Sequence, residues 1–398
     1  MEQKSKKRIL YYDWNSLMQR DMLLTLQQEG YEVVLTTQRA ADYVHDEKFM
    51  EYLEQMILQH KPEVCFSFNF FPVISKVCQR NNLLYVSWIF DSPALPLYSD
   101  EVHNSCNRIF HFDYGNCEHL WQRGVEHLYH LPLAARAGRT EHLLKSNPNA
   151  VLKNGTASWD GITFVGQIYD KKNFYDQIQF LPERLAGYLE GLMEAQKRIW
   201  GYNFLEECIE QKGMSEIGKY VKLECPKQFF YTPAFVFANL FLGQKLTAME
   251  REEALVRLGA VAPVRLYSDS YPESLKQCSQ LQYAGLVDSC NEAPLVYHGS
   301  KINLNMTLRT IRTGIPLRIF EIAEAGGFIL TNYQQELMEC FEPDKEIVIF
   351  GSMEEMEEKA QYYLTHEEER RQIAQAAERR LCAEHTLQSR IERLFGAL

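Results

Sequence analysis

The amino-acid sequence predicts an α/β protein built from two Rossmann-like domains. The chain has 398 residues, which is too long for one ordinary domain and sufficient for two. Short apolar runs alternate with amphipathic segments over residues 8–135, and the same alternation begins again near residue 161. Continuous apolar strands separated by helices are typical of parallel sheets that helices cover on both faces.

The first domain is predicted to span residues 1–135, with strands joined by helices. Each strand is a short run of mostly apolar residues, as expected for strands buried on both faces. The strands are expected near residues 8–12, 31–35, 64–68, 84–90, 108–112 and 127–131, and the helices near 17–30, 47–60, 72–80 and 115–123.

The rest of the chain is predicted to form a linker, a second domain and a final helix. Residues 136–160 lose the apolar periodicity and carry Gly, Ser, Asn and Pro, so we interpret them as an interdomain linker. The second domain is predicted over 161–385, with a largely helical insert at 174–260. Within that insert Thr247 and Glu250 have the spacing of a capping box, which predicts that a helix starts there. The final helix is predicted over 386–398.

Composition and charge exclude several classes of protein. There are 42 Lys and Arg against 53 Asp and Glu, a net charge of −11, which argues against a non-specific nucleic-acid binder. Ten cysteines occur with no CxxC spacing, which favours reduced thiols over a disulfide scaffold. No run of about 18 apolar residues and no signal-peptide pattern is present, so we expect no transmembrane segment and a cytoplasmic location.

Nucleotide-binding motifs that would identify common Rossmann enzymes are absent. Neither first strand is followed by GxGxxG, and GxxxxGK[ST] does not occur, which argues against NAD(P) oxidoreductases and P-loop NTPases. Ligands of open parallel sheets bind beyond the carboxyl ends of strands. Asp13, Asp91 and Gly166 follow predicted strands and are therefore candidate site residues.

The densest polar pattern lies between residues 303 and 327. It contains Arg309, Arg312, Arg318, Glu321 and the pair Gly326–Gly327. Glycines let backbone N–H groups approach a phosphate, arginine pairs with it through two hydrogen bonds, and a carboxylate can accept hydrogen bonds from ribose hydroxyls. An ordinary surface helix with ion pairs and a Gly–Gly stop fits the composition equally well, so the pattern alone leaves both interpretations open.

Residues 303–333 resemble the C-terminal half of the CgeB-like (spore maturation protein) glycosyltransferases. The segments at 12–16, 66–75 and 87–93 resemble the N-terminal domain that commonly precedes that half. The resemblance implies the GT-B fold, in which two Rossmann-like domains face a cleft and the second binds a nucleotide sugar. It also implies that the last helix, 386–398, crosses back to the N-terminal, acceptor-side domain.

Site roles follow from the resemblance residue by residue. Glu321 falls on the carboxylate that binds the donor ribose, whereas Gly166 and Lys172 fall on the loop that faces the pyrophosphate. The sequence departs from related families at two positions: Gln167 replaces a common arginine and Thr313 replaces a second glutamate. Arg309, Arg312 or Arg318 are expected to compensate for the lost charge, and Arg318 is favoured because it is nearest to Glu321. Gly326 and Gly327 complete the predicted donor-binding set.

The implied reaction is transfer of a hexose from a nucleoside-diphosphate donor to a hydroxyl or other nucleophile. UDP-sugar is the favoured donor, no further cofactor is expected, and the acceptor is a protein, a glycan or a small molecule. Because no Asp-x-Asp motif occurs, no divalent metal is expected. A general base is expected from Asp13 or Asp91, although Asp13 could instead cap a helix and Asp91 could begin the Ser92–Pro93 turn.

Two other functions remain open at this stage. The replacements at Gln167 and Thr313 fit a structural or sugar-binding protein that keeps the fold without turnover. A sugar-nucleotide epimerase uses the same two-domain architecture, and it would change a nucleotide sugar with no acceptor present.

Overall fold

A computed structural model describes residues 7–146, 151–152, 155–171, 173–212, 214–223 and 225–396. The chain forms two compact units. The first comprises Met1–Arg136, Pro226–Tyr231 and His385–Leu398, and the second comprises Ala137–Cys225 and Thr232–Glu384.

The first unit is built on a parallel sheet of six strands. Their order is β2-β1-β3-β4-β5-β6, so the chain runs outward from β1 in one direction to β2 and then in the other direction from β3 onward. The strands are β1 (Arg8–Tyr11), β2 (Glu32–Leu35), β3 (Val64–Phe68), β4 (Leu84–Ile89), β5 (Asn107–His111) and β6 (Leu128–His130). All five residues of β3 are buried, which explains its continuous apolar sequence.

Four α-helices lie between these strands, and the starts of the last three are encoded locally. They are α1 (Gln19–Gln28), α2 (Glu47–His60), α3 (Pro72–Arg80) and α4 (Tyr114–Trp121). The carboxylate of Asp46 caps α2 by accepting a hydrogen bond from the Phe49 amide at 3.0 Å. Asp113 caps α4 in the same way, and Pro72 occupies the first turn of α3, where its missing N–H costs nothing.

The second unit also contains a six-stranded parallel sheet, with the order β11-β10-β9-β12-β13-β14. Its strands are β9 (Trp159–Val165), β10 (Val264–Tyr267), β11 (Leu281–Gly285), β12 (Ser300–Asn305), β13 (Ile329–Asn332) and β14 (Val348–Phe350). Counted from its first strand, the order is 3-2-1-4-5-6, that of the Rossmann fold. A separate antiparallel pair, β7 (Val151–Leu152) and β8 (Gly155–Thr156), precedes it.

The helices of the second unit begin before the sheet and continue to residue 384. They are α5 (Arg139–Ser146), α6 (Glu183–Lys197), α7 (Leu205–Lys212), α8 (Met214–Ile217), α9 (Pro233–Val236), α10 (Gln244–Val261), α11 (Glu273–Lys276), α12 (Ala293–Gly299), α13 (Leu317–Glu324), α14 (Leu337–Cys340), α15 (Met353–Thr365) and α16 (Glu367–Glu384). A π-helical segment, Phe237–Gly243, joins α9 to α10. In the part of the chain that the structure describes, no helix combines the length and apolarity needed to cross a membrane.

The interpretation of residues 136–160 as a linker is incomplete. The segment contains α5, and this helix is fixed to the second unit because Glu324 accepts hydrogen bonds from both the amide and the hydroxyl of Thr140, at 3.0 and 2.7 Å. Its apolar residues Leu143 and Leu144 pack on a buried cluster that includes Leu295. The helix is short and mostly polar, so its periodicity is too weak to be recognised from sequence.

The last helix, α17 (Leu387–Phe395), belongs to the first unit. Thr386 caps it, and the buried guanidinium of Arg390 donates to the Pro132 carbonyl at 2.8 Å. The segment Pro226–Tyr231 also belongs to the first unit, although it interrupts the predicted insert: the amide of Phe230 donates to the Tyr98 carbonyl at 2.8 Å. The sequence contained no signal for this second segment.

A buried ion pair connects α10 to the loop after β12. The Nε of Arg309 donates to both carboxylate oxygens of Glu250 at 2.9 Å, and its Nη1 donates to the Ile199 carbonyl at 2.9 Å. The guanidinium lies 4.0 Å from the centre of the Trp200 ring. The prediction that a helix starts at Thr247 and Glu250 is therefore wrong. Both residues lie inside α10, where they hold the loop that contains Arg309.

We predict that Arg309→Met destabilises the protein by about 3–5 kcal/mol, because it leaves the Glu250 carboxylate buried without its partner. Burial already raises the pKa of Glu250, with Arg309 opposing it. A raised folded-state pKa means that stability is greater at low pH, so the variant should be less destabilised near about pH 5 than near about pH 8. Urea unfolding at both pH values measures this.

The matched control is Arg312→Met, because Arg312 pairs with Glu206 at 2.9 Å while its side chain is 33% exposed. A loss of roughly 0–1 kcal/mol is expected there. Equal losses for the two variants would contradict the structural role assigned to Arg309.

Candidate donor site

At the carboxyl edge of the second sheet the strand order reverses beside β9. The chain leaves β9 toward β10 on one side, whereas β12 lies on the other side of β9. Gly166 directly follows β9, and Asn305 is the last residue of β12. In open parallel sheets, ligands bind outside the carboxyl ends of the strands at this switch point.

The guanidinium of Arg318 lies directly against the backbone of Gly166. A Cβ atom on residue 166, where φ is +156°, would stand 2.5 Å from Nη2 of Arg318. The Nη1 of Arg318 donates to the side-chain oxygen of Asn305 at 3.3 Å, and the buried Asn305 amide donates in turn to Thr331 at 2.9 Å. Only glycine at 166 permits this approach, so the two predicted residues Gly166 and Arg318 form one unit.

Helix α13 places Arg318 and Glu321 one turn apart on the same side. The helix begins at Leu317, directly after Pro316, so both side chains lie in its first turns. A cation at the backbone turn and a carboxylate one turn further along match the order of a diphosphate and a ribose.

Tyr297, on α12, lies between the charged groups. Burial raises the pKa of its hydroxyl, the charge of Glu321 acts in the same direction, and Arg318, which is hydrogen-bonded to the hydroxyl, opposes both. Both side chains therefore lie near the Tyr297 hydroxyl, which is hydrogen-bonded to Arg318.

A second arginine, Arg251, reaches the same edge from α10. Its guanidinium donates to the backbone carbonyls of Gln167 and Met306, and so it connects the loops that follow β9 and β12. Burial lowers its pKa to about 10, and the charge of Arg318 acts in the same direction, which leaves Arg251 protonated at neutral pH. The sequence analysis missed this residue because it lies within the insert, far along the chain from both loops.

The other arginines of the polar pattern have protein partners. Arg309 is buried in its ion pair with Glu250, and Arg312 pairs with Glu206 on α7. The structure thus brings Arg318 to the Gly166 loop, whereas the guanidinium of Arg309 is occupied by Glu250. Lys172, predicted for the same loop, lies outside the described residues.

The structure places Gly326 and Gly327 at the opposite edge of the sheet from Gly166. They follow the C-terminal end of α13 and precede the amino end of β13. Gly326 has φ +66°, as at a left-handed helix end, and a Cβ at Gly327 would stand 2.7 Å from the side-chain nitrogen of Asn303. They allow the chain to turn tightly from α13 into β13, which is the helix-stop alternative of the sequence analysis, and they cannot line the Gly166 edge.

A carboxylate lies beside Thr313 even though residue 313 itself is not acidic. The Thr313 hydroxyl donates to Glu336 at 2.7 Å, and the Glu336 amide donates to the Thr313 carbonyl at 3.1 Å. Glu336 is only 2% exposed. It follows Thr313 by 23 positions, so no local motif relates it to the polar pattern.

The first sheet has an equivalent edge, at which Asp13 and Asp91 lie. Its order reverses between β1 and β3, and Asp13 follows β1 while Asn69 follows β3. The carboxylate of Asp13 accepts a hydrogen bond from the Asn15 amide at 2.9 Å and lies 3.6 Å from Arg39. It therefore closes a local turn rather than capping α1.

Asp91 follows β4 and is hydrogen-bonded to Asn69. The Asn69 side-chain amide donates to the Asp91 carboxylate at 2.6 Å. The residue as a whole is exposed, yet surrounding protein partly desolvates its carboxyl group, which raises the pKa of Asp91, while the bond from Asn69 opposes the rise. Among the described residues, no three His, Cys, Asp or Glu side chains gather as a metal site would require.

Comparisons with known proteins agree with this architecture. Residues 248–396 match the sequence model of a family described as glycosyl transferase-like. No curated protein sequence matches the chain significantly.

Solved structures resemble the chain over nearly its whole length. Anabaena Alr3699/HepE, solved in complex with UDP and glucose, has a TM-score of 0.54 at 10% identity, with 98% of this chain and 100% of that chain covered. Sucrose-phosphate synthase from Thermosynechococcus elongatus has a TM-score of 0.57 at 8% identity, with 98% and 99% covered. AviGT4, a glycosyltransferase involved in avilamycin A biosynthesis, has a TM-score of 0.53 at 11% identity, with 98% and 96% covered.

The two parallel sheets and these likenesses confirm the predicted GT-B fold of two Rossmann-like units. The chain thus has the fold of the GT-B glycosyltransferases, and its residues 248–396 match the glycosyl transferase-like family.

Proposed function

We propose that the protein transfers a hexose from a UDP-sugar to an acceptor nucleophile without a divalent metal, and that it belongs to the CgeB-like group. The donor binds at the carboxyl edge of the second sheet. The acceptor is a protein, a glycan or a small molecule.

The observation that carries the proposal is the approach of Arg318 to the Gly166 backbone, with Glu321 one turn further along α13. When the glycosidic bond to the donor breaks, negative charge develops on the β-phosphate of the leaving nucleotide. A fixed guanidinium and the free amides at the start of a helix stabilise such charge without reorganising. Arg318 meets this requirement because Asn305 holds it in place.

The remaining donor roles are assigned around this centre. Arg251 adds a second fixed positive charge at the Gly166 loop and takes the part that Arg309 was predicted to play. Lys172 stays a predicted phosphate ligand, and Glu321 is assigned to the ribose hydroxyls. The choice of UDP is supported by Anabaena Alr3699/HepE, which has been solved with UDP-glucose.

Asp91 is the proposed general base, with Asp13 as the second candidate. A general base takes a proton from the acceptor. A carboxylate whose pKa is raised binds that proton more readily than one with an ordinary pKa. Asp13 is less suited because its carboxylate already accepts the Asn15 amide and faces Arg39.

A non-catalytic sugar-nucleotide-binding protein is the second candidate function. The missing arginine at Gln167 and the missing glutamate at Thr313 favour it. Tight nucleotide binding with no turnover on any acceptor would support it, whereas a changed nucleotide sugar without any acceptor would indicate an epimerase.

We predict that UDP binds and that Glu321→Gln weakens its binding about tenfold or more, because a hydrogen bond to a charged group contributes about 1.5–3 kcal/mol. Calorimetry with UDP, GDP and dTDP and their sugars measures this. The matched control is Glu358→Gln, on the exposed face of α15. If no nucleotide binds to the parent protein, the proposed donor site is wrong. If Glu321→Gln binds UDP as tightly as the parent, Glu321 is not part of that site.

We predict that Asp91→Asn reduces turnover by about 10²-fold or more while UDP affinity is kept, because the amide cannot accept the acceptor's proton. Asp13→Asn serves as the matched variant on the same edge and should lower turnover less. The turnover of both variants is measured as the rate of sugar transfer, with the nucleotide sugar that binds in calorimetry as the donor. A larger loss for Asp13→Asn would assign the base to Asp13.

We predict that EDTA leaves turnover unchanged, because Arg318 and Arg251 supply the positive charge that a metal would bring to the diphosphate. Activity is compared in EDTA and in added Mg²⁺ or Mn²⁺. Loss of activity in EDTA that either ion restores would contradict metal independence.

A further inference from the structure

We propose that Arg139, the first residue of α5, is a positioning residue of the donor site: it holds the Glu321 carboxylate in the orientation that receives the ribose. The inference rests on the proposed function, because it requires that Glu321 binds the ribose. It assigns a donor-site role to a segment that the sequence presented as a linker.

The first support is the position of the Arg139 guanidinium between two carboxylates of α13. Its Nη2 lies 3.5 Å from Glu321 and its Nε lies 4.0 Å from Glu324. The exposed fractions of the three side chains are 7%, 17% and 1%. Water therefore screens these charges little, and the ion pair restricts the carboxylate more strongly than a surface pair would.

The second support is that Arg139 itself is held from its own helix. The next residue, Thr140, donates to both oxygens of Glu324 through its amide and its hydroxyl. Leu143 and Leu144, one turn further along α5, pack on the cluster of Tyr267, Leu295 and Val296. The helix is thus fixed at two places, which fixes the backbone from which the Arg139 side chain extends toward Glu321.

The third support is that Arg139 belongs to the charge group around Tyr297. The charges of Glu321, Arg318 and Arg139 all act on the Tyr297 hydroxyl, with Glu321 opposing the two arginines. Glu321 thus lies near a cation on α5 and a cation on its own helix. Arg318 is bound to Asn305 and lies over Gly166, whereas Arg139 places its Nη2 3.5 Å from the Glu321 carboxylate.

The test compares UDP with 2′-deoxy-UDP, which lacks one hydroxyl that Glu321 is proposed to bind. Calorimetry is run on the full chain and on Glu321→Gln, Arg139→Gln, Arg139→Met and Arg139→Lys. Methionine keeps the packing of the arginine stem without its charge, and lysine keeps the charge. Arg371→Gln is the matched control, since Arg371 is exposed and pairs with Glu367 within α16.

The parent protein and the Arg371→Gln control should bind UDP about tenfold or more tightly than 2′-deoxy-UDP. Arg139→Gln, Arg139→Met and Glu321→Gln should reduce this preference to within about threefold, and Arg139→Lys should keep most of it. If Arg139→Gln does not fold, the methionine and lysine variants decide the question.

The outcomes separate the two proposals. If Glu321→Gln keeps the full preference for UDP over 2′-deoxy-UDP, Glu321 does not bind the ribose, and the proposed role of Arg139 is then wrong as well. Lost preference in Glu321→Gln together with full preference in Arg139→Met overturns the role of Arg139 alone. Equal weakening of both nucleotides in the Arg139 variants, or the same loss in Arg139→Lys as in Arg139→Met, overturns positioning by charge.

Discussion

The proposed donor site depends on one close approach, that of the Arg318 guanidinium to the backbone of Gly166. It requires that residue 166 has no side chain, that Asn305 fixes the guanidinium from the neighbouring strand, and that α13 begins directly after Pro316. Gly166 lies far along the chain from Asn305 and α13, and the parallel sheet brings them to one edge. The chain has a net charge of −11, so this local concentration of positive charge must attract a diphosphate against the overall field.

The helical insert is a part of this site through two consecutive residues of α10. Glu250 holds the loop after β12 by its buried pair with Arg309, and Arg251 connects that loop to the one after β9. The insert thus contributes one residue that shapes the edge and one that adds charge to it. Helix α5 contributes similarly, because Thr140 fixes it to Glu324 and Arg139 then reaches Glu321.

Local patterns in the sequence predicted the sheets, because buried parallel strands must be continuously apolar. The end of a predicted strand made Gly166 a candidate, whereas the donor roles of Arg318 and Glu321 were implied by the family resemblance, because the polar run alone fitted an ordinary surface helix equally well. Arg318 was favoured over Arg309 because it is nearest to Glu321, but the pairing of Arg309 with Glu250 could not be predicted, because Glu250 lies on a helix far along the chain. Arg139, Arg251 and Glu336 were missed for the same reason: each reaches the region from another element. Gly326 and Gly327 were assigned to the donor because a helix stop and a phosphate loop have the same composition.

The central claim is tested most directly by a crystal structure of the protein with UDP. The account predicts the diphosphate against the Gly166 backbone and Arg318, within hydrogen-bond distance of the guanidinium, with the ribose hydroxyls on Glu321. A diphosphate bound elsewhere, with Arg318 still on Asn305 and no contact to UDP, would contradict it.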